Sequence, residues 1–368
     1  MTWECRSFSD AFSDMSAGSP KIPQSDFAKH GEFPIIDQGA TRVAGFTDDV
    51  HLLSQVDLPI VVFGDHTRRF KYIDHPFAVG ADGVKLLRPA ADLDAKFAFH
   101  YLQSIRLPDA GYSRHFKFLK DVRIPLPPLP EQRRIASILD QVDELRARRR
   151  RAIMLLEQVE DTALGDLLRA GLGNETVTLS EIADIQTGPF GSLLHREDYV
   201  SGGIPLVNPM HIRNGRIYPD PEFSVTESKF AELDSFELRK GDVVLGRRGE
   251  MGRAAEVVDS HGRLLCGTGC MILRPRDGRV LGVVLVGLLS SPSVRTMLEQ
   301  RAQGVTMLNL NQSIVGNLEV PLASVESQLA FAGLRGHLRA LREHQASHLA
   351  KLDDLFASLQ HRAFRGEL

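Results

Sequence analysis

The clearest hydrophobic pattern in the chain runs from Pro125 to Ala170. It opens with Pro125, Pro127, Pro128 and Pro130, and after Pro130 neither proline nor glycine recurs until Gly165. Proline fixes φ and lacks an N–H, so it suits the start of a helix and not its interior. The following residues are mostly Leu, Ile, Ala, Glu, Gln and Arg, which favour helix. Ile138, Val142, Leu145, Arg149, Ala152, Leu156, Val159 and Ala163 fall on a seven-residue repeat, the seam of a helix packed lengthwise on another helix. A helix of about 40 residues is roughly 60 Å long and needs a partner.

The partner is in the same chain. Shifting each seam position by 196 gives Leu334, Leu338, Leu341, Gln345, His348, Leu352, Leu355 and Leu359. Even the polar interruption recurs, with Arg149 matching Gln345. The approach recurs as well: Ile124-Pro125-Leu126 matches Val320-Pro321-Leu322, and Gln132 matches Gln328. An internal repeat on this scale outranks any local motif. It predicts two long helices, packed antiparallel within the chain, each following a globular segment.

The globular segments carry the same landmarks in the same order. Pro34-Ile35-Ile36 and Pro59-Ile60-Val61-Val62-Phe63 are short β-type runs between turn formers. Gly80-Ala81-Asp82-Gly83 reads as a turn before Val84 to Leu87, and Asp94 to Ile105 as a helix. Further on, Pro205-Leu206-Val207 answers Pro34-Ile35-Ile36, Val243-Val244-Leu245-Gly246 answers Val61-Val62-Phe63-Gly64, and Leu273-Arg274-Pro275 repeats Leu87-Arg88-Pro89. Ser293 to Ala302 reads as a helix with Gly304 behind it, and Gly171 and Gly173 end the first long helix. The organisation expected is a first domain at 1–128, a long helix at 129–171, a second domain at 172–323 and a long helix at 324–368.

Composition narrows the class without naming a function. Of 368 residues, 43% are hydrophobic and 25% charged, as in a soluble globular protein. A net charge of −3 gives no global basic field for nucleic acid. Cys5, Cys266 and Cys270 are too few for a disulfide framework and fit a reducing cytosol, hence a cytoplasmic location. Cys266 and Cys270 lack a second ligand pair for zinc. The N-terminus has no apolar signal core, and Val280 to Leu289 is about half the length of a membrane span.

Several stretches together resemble the specificity subunits of type I restriction-modification systems: Phe63-Gly64-Asp65-His66-Thr67-Arg68, Pro127-Pro128-Leu129-Pro130-Glu131-Gln132-Arg133-Arg134-Ile135-Ala136, Gly188-Pro189-Phe190-Gly191-Ser192 and Gly202-Gly203-Ile204-Pro205-Leu206-Val207-Asn208. The resemblance covers nearly the whole chain. The junction Pro321-Leu322-Ala323-Ser324-Val325-Glu326-Ser327-Gln328 departs from it by losing most of the proline cluster. The resemblance implies an α+β fold in which two similar globular target recognition domains are separated and joined by two long antiparallel α-helices in a coiled-coil-like bundle. Each domain would read one half of a split site in double-stranded DNA. The helices would dock two modification (methyltransferase) subunits, joined by restriction subunits where the system cleaves. The chain itself would be non-catalytic and carry no cofactor, with S-adenosylmethionine expected in the partner methyltransferase subunits.

The residues expected to meet DNA are basic side chains on loops. Arginine reads guanine bidentately, and arginine or lysine neutralises phosphate. After Gly64 come His66, Arg68, Arg69 and Lys71; after Gly246 come Arg247, Arg248 and Arg253; Arg42 joins the first set. The alternative for these loops is surface solubility. Before the helix junction lie Tyr112, Ser113, Arg114 and His115, which could meet phosphate or cap and pack the domain base. Arg148 to Arg151 could contact phosphates across the unread spacer, although such charge runs are more often a solvated helix face. Asn208-Pro209-Met210-His211 is similar to the catalytic tetrapeptide of amino-methyltransferases but lacks the aromatic fourth residue that would stack a flipped base. Gly246 to Gly252 lacks the Lys-Ser/Thr of a phosphate loop. Two other functions compete: a self-contained DNA-modifying enzyme, and a coiled-coil adaptor that never touches DNA. The duplication with divergent basic loops argues for recognition.

Overall fold

The computed structural model describes residues 3–80, 83–108, 111, 113–172, 175–302 and 309–368. The expectations placed on Ala81, Asp82, Tyr112, Gly173 and Gly304 lie outside the described residues. The chain divides into two compact units, Met1–Arg151 with Gln345–Leu368, and Ala152–His344. Both long helices, Leu129–Leu172 and Val325–Ala363, contribute a segment to each unit.

In the first unit, four antiparallel strands run in the order Phe12–Asp14, Val84–Pro89, Ile60–Gly64, Phe70–Ile73. The central strand Ile60–Gly64 is buried on both faces, so its side chains read as an unbroken apolar run. A three-stranded sheet packs alongside, built from Gly45–Thr47, Phe33–Ile36 and Ala78–Val79, the last two parallel. Helix Ala95–Ser104 is capped by Asp94, whose carboxylate accepts the N–H groups of Lys96 and Phe97. Its buried face, Phe97, Ala98 and Leu102, joins Phe63, Leu119 and Ile124 in a core completed by Ile135 and Leu139 of the first long helix and Phe356 of the last.

The second unit repeats this plan. Its four-stranded antiparallel sheet runs Ala183–Thr187, Cys270–Pro275, Val243–Gly246, Ala254–Glu256. A neighbouring sheet again contains one parallel pair, Ile204–Val207 with Leu264–Cys266. The apolar run near Val280 forms the buried helix Gly282–Ser290, the counterpart of Ala95–Ser104. The expected helix at Ser293 follows as Pro292–Arg301. Among the described residues no helix is long and apolar enough to cross a membrane.

The matched glutamines explain how each long helix is joined to its domain. Gln132 is fully buried; its amide oxygen accepts the Asp94 N–H at 2.7 Å, and its nitrogen donates to the carbonyls of Asp92 at 2.9 Å and Pro127 at 2.8 Å. Gln328, also buried, repeats the set: it accepts from the Leu281 N–H at 2.9 Å and donates to the carbonyls of Arg279 at 2.8 Å and Ala323 at 2.9 Å. Asp94 and Leu281 are the N-caps of the paired domain helices. One side chain thus satisfies three buried backbone groups that would otherwise be orphaned.

Within each unit the long-helix segments run antiparallel. In the first, Arg146 reaches Asp353 at 2.6 Å and Arg149 donates to the Gln345 amide oxygen at 2.8 Å, so rising numbers meet falling ones. In the second, Arg335 meets Glu160 at 2.6 Å and Arg342 meets Glu157 at 3.8 Å. Arg149 therefore bonds its own repeat counterpart, Gln345.

The seam register matches the expected one only in part. Leu145, Val159, Leu334, Leu341 and Leu355 are all at least 41% exposed. Val142, Arg149, Leu338 and Gln345 face inward as expected, but the positions between them are Ile135, Leu139 and Arg146 with their repeat counterparts Phe331, Arg335 and Arg342. Two adjacent stripes are apolar, and the one that faces the partner helix includes charged residues that find partners across the seam. Replacing Leu139 by Ala should cost roughly 2–5 kcal/mol, as large-to-small changes in a packed core do. Leu145→Ala should cost less than about 1 kcal/mol, and urea unfolding of the two variants compares them. Equal losses would contradict this register.

Candidate nucleic-acid interface

The two basic loops occupy equivalent hairpin turns. Gly64 ends the strand pointing into the first, and its N–H donates to the Arg69 carbonyl at 2.9 Å; Gly246 does the same to Arg253 at 2.8 Å. A Cβ on Gly64 would stand 2.3 Å from the Thr67 hydroxyl and 2.9 Å from Gln38, so the tight turn admits only glycine. The turns also share an anchor. The His115 N–H donates to the Asp65 carbonyl at 3.0 Å, and the Leu310 N–H to the Arg247 carbonyl at 2.9 Å. Each hairpin is thereby tied to the segment that leads into its long helix.

The tips differ. Arg68 holds a left-handed backbone with φ of 60°, unusual for a bulky residue and a common mark of a functional turn. Arg69 and Arg42 are exposed. In the longer second turn, Arg247 is half-buried and donates through Nε to Asn309 at 3.0 Å; burial, with Arg248 beside it, pulls its pKa down. Arg248 is exposed. Arg253 grips Glu250 through Nε at 2.8 Å and Nη2 at 2.5 Å, which holds the Glu250 carboxyl below its ordinary range. His66 is half-buried with its backbone N–H on Gln38 at 3.2 Å, and Arg114 is exposed.

Two expected contacts are corrected. Lys71 is only 7% exposed and gives its ammonium to the Asp37 carbonyl at 2.7 Å and carboxylate at 3.3 Å; burial lowers its pKa. His115 is buried, with Nδ1 at 3.0 Å from the Asp65 carbonyl. Both side chains are taken up in holding the turn in place. The Asn208-Pro209-Met210-His211 turn is structural too. His211 is buried on the Leu206 carbonyl at 3.0 Å, burial lowers its pKa, and the Asn208 amide oxygen accepts the Gly269 N–H at 3.3 Å. Cys266 and Cys270 are buried, which pushes their thiols up, and among the described residues no cluster could hold a metal ion.

A groove of about 1110 Å³ in the first unit gathers the basic residues of the first turn. Arg42, Arg68 and Arg69 line it from the hairpin side, and Lys96 and Arg106 from helix Ala95–Ser104 and its exit. Arg146 and Arg150 line it from the first long helix. Asp140 binds Lys96 at 2.6 Å and His100 at 2.8 Å; burial opposes its charge, yet these partners keep its carboxyl below the usual range. Asp353 binds Arg146 at 2.6 Å and Arg150 at 3.2 Å. Arg148 pairs with Glu144 at 2.5 Å, so this arginine run is largely tied along and across the helices. Sequence reasoning missed Arg106, which sits past a helix end without a repeat counterpart to flag it.

Lys71→Ala should destabilise the first unit by about 1–3 kcal/mol, since it orphans the Asp37 groups it satisfies. Arg69→Ala should stay within about 0.5 kcal/mol of the parent, as exposed substitutions do. Urea denaturation followed by circular dichroism checks both, and a neutral Lys71→Ala would return that lysine to the list of available contacts.

The model of the type I restriction modification DNA specificity domain matches residues 2–155 and 172–334, one copy for each half of the repeat. The EcoBI type I restriction enzyme specificity subunit of Escherichia coli is 24% identical over 311 residues, covering 74% of this chain and 65% of its own. The MjaVIII specificity subunit of Methanocaldococcus jannaschii is 23% identical over 238 residues, covering 59% of this chain and 55% of its own. The match thus spans less than two thirds of these relatives' lengths. Among solved structures, the S subunit of a type I restriction-modification system from M. genitalium shares the fold with a TM-score of 0.64 at 16% identity, over 99% of this chain and 96% of that one. A chain from a type I restriction-modification assembly follows at a TM-score of 0.54 and 18% identity, over 100% and 98%. Because the family model covers most of both halves, the chain belongs to the type I restriction modification DNA specificity domain family.

Proposed function

We propose that this chain is the DNA-recognition subunit of a type I restriction-modification system, non-catalytic itself, that reads a bipartite duplex target and brings methyltransferase subunits to it. The observation that carries this reading is the duplication. One strand-and-hairpin plan occurs twice, anchored by the same backbone hydrogen bonds, while the hairpin tips carry different residues. Equal frames with unequal tips suit an asymmetric, split DNA site, because base edges are read by side chains while the backbone only positions them. Arg68 in the first domain and Arg247 and Arg248 in the second are the proposed base contacts, with the exposed Arg42 and Arg69 beside Arg68 facing the same duplex. Arg253 shapes its turn through Glu250.

The helices support a pair of identical partners. The first unit leaves Leu145 and Leu355 exposed, and the second leaves their repeat counterparts Leu341 and Val159 exposed. Each unit thus offers a copy of the same apolar pair to a modification subunit, large exposed apolar side chains being a mark of interaction surfaces. S-adenosylmethionine would be bound by those partners, and restriction subunits would join where the system cleaves.

Arg247→Ala combined with Arg248→Ala should relax or abolish recognition of one half-site and leave the other unchanged. Each lost bidentate contact costs about 1–3 kcal/mol. Sequencing the methylated motif in cells that carry the full system reads this directly, and an unaltered motif would remove the second hairpin from recognition.

A further inference from the structure

The first-domain groove has a counterpart in the second domain, and their electrostatics differ. Tyr72 and Glu256 occupy the same hairpin position, and Arg146 and Arg342 the same long-helix position. Yet the second cavity is only about 350 Å³, and each of its four arginines pairs with a glutamate, two sharing Glu160 and two sharing Glu343. Arg335 binds Glu160 at 2.6 Å, Arg342 binds Glu160 at 3.4 Å, Arg339 binds Glu343 at 3.4 Å, and Arg216 also pairs with Glu343. In the first groove, the aspartates along the helices neutralise Lys96, Arg146 and Arg150. Arg42, Arg69 and Arg106 remain exposed, and among the described residues no carboxylate pairs with them.

We propose that this groove is a clamp for one sugar-phosphate strand of duplex DNA, in which Arg42, Arg69 and Arg106 neutralise phosphates whatever the sequence, and that the second domain has no such clamp. The proposal rests on the DNA-recognition reading and adds a division of labour to it. Non-specific affinity enters through the first domain, while the second contributes base contacts. The physical basis is counterion release. An arginine already paired with a carboxylate displaces no cation from DNA, whereas each unpaired one releases a counterion and adds about 0.9 to the slope of log affinity against log salt. Charge decides against a small apolar ligand, because three guanidinium groups facing open solvent favour a polyanion.

The test is binding of the full chain, with its modification subunits, to one duplex that carries the methylated motif and one that does not, across a salt series. Replacing Arg42, Arg69 and Arg106 together by Ala should reduce the slope by about 2–3. It should weaken both duplexes by the same factor and leave the methylated motif unchanged. The matching triple Lys variant should keep the parent slope, since phosphate neutralisation needs only the charge, which also separates a charge effect from misfolding. Arg339→Ala in the second cavity should leave the slope unaltered. An unchanged slope in the triple Ala variant overturns the clamp, as does a change confined to one half-site, which would make these arginines base readers. Loss of the modification subunits from the complex with the slope intact would also overturn it, marking the groove as a protein-docking surface. If the parent complex bound neither duplex, the DNA-recognition reading itself would fail.

Discussion

A buried primary amide at the start of each long helix is the constraint on which the rest of this structure depends. Gln132 and Gln328 each hold one backbone N–H and two carbonyls at 2.7–2.9 Å, in sites closed to water. No other common side chain meets all three demands. A carboxylate cannot donate, leucine can do neither, and asparagine is a methylene shorter. The N–H held is that of the N-cap of the domain helix, and one carbonyll held is that of the junction before the long helix. The amide therefore fixes the domain to the helix that leaves it, and breaking it would leave buried groups unpaired at a cost of about 1–3 kcal/mol each.

On this common frame the chain hangs different chemistry. The position of Phe356, which lies under the Arg146 guanidinium at 4.3 Å, is taken in the other repeat by Glu160, which binds Arg342 at 3.4 Å. A cation–π contact and an ion pair thus fill the same place, and each satisfies a charged seam residue in its own way. The same divergence sets apart the hairpins. Asp65 takes the Phe116 N–H on its carboxylate at 2.7 Å, whereas Arg247 at the matching place turns to Asn309. Duplication conserves the backbone bonds and frees the side chains beyond them to differ.

The repeat, the two long helices and the strand landmarks could be read from residues alone because they rest on periodicity and on proline and glycine, which act locally. The helix seam could be read only in part: Val142 and Arg149 lie on it as the repeat predicts, but Leu145 gives way to Leu139 and Arg146. Leu145 and Leu139 lie on adjacent stripes that are both apolar in part, and the stripe chosen by folding carries Arg146, Glu160, Arg335 and Arg342, whose partners are more than 170 residues away or on the opposite helix. Lys71 looks like any loop lysine until Asp37, distant in sequence, is seen to bury it. Arg106 shows no motif at all; only the groove brings it beside Arg42 and Arg69. Gln132 and Gln328 were visible as a matched pair, but their three-way bonding depends on backbone atoms that no pattern of side chains reveals.

The most direct measurement of the central constraint is residue-resolved amide hydrogen exchange on the full chain carrying Gln328→Leu. That variant keeps the side-chain bulk and removes the donor and acceptor. The Leu281 N–H should lose protection together with the start of helix Gly282–Ser290, while the Asp94 N–H, held by the intact Gln132, keeps its parent rate. Unchanged protection at Leu281 would show that packing alone joins the second domain to its long helix, and the account built on the paired amides would not stand.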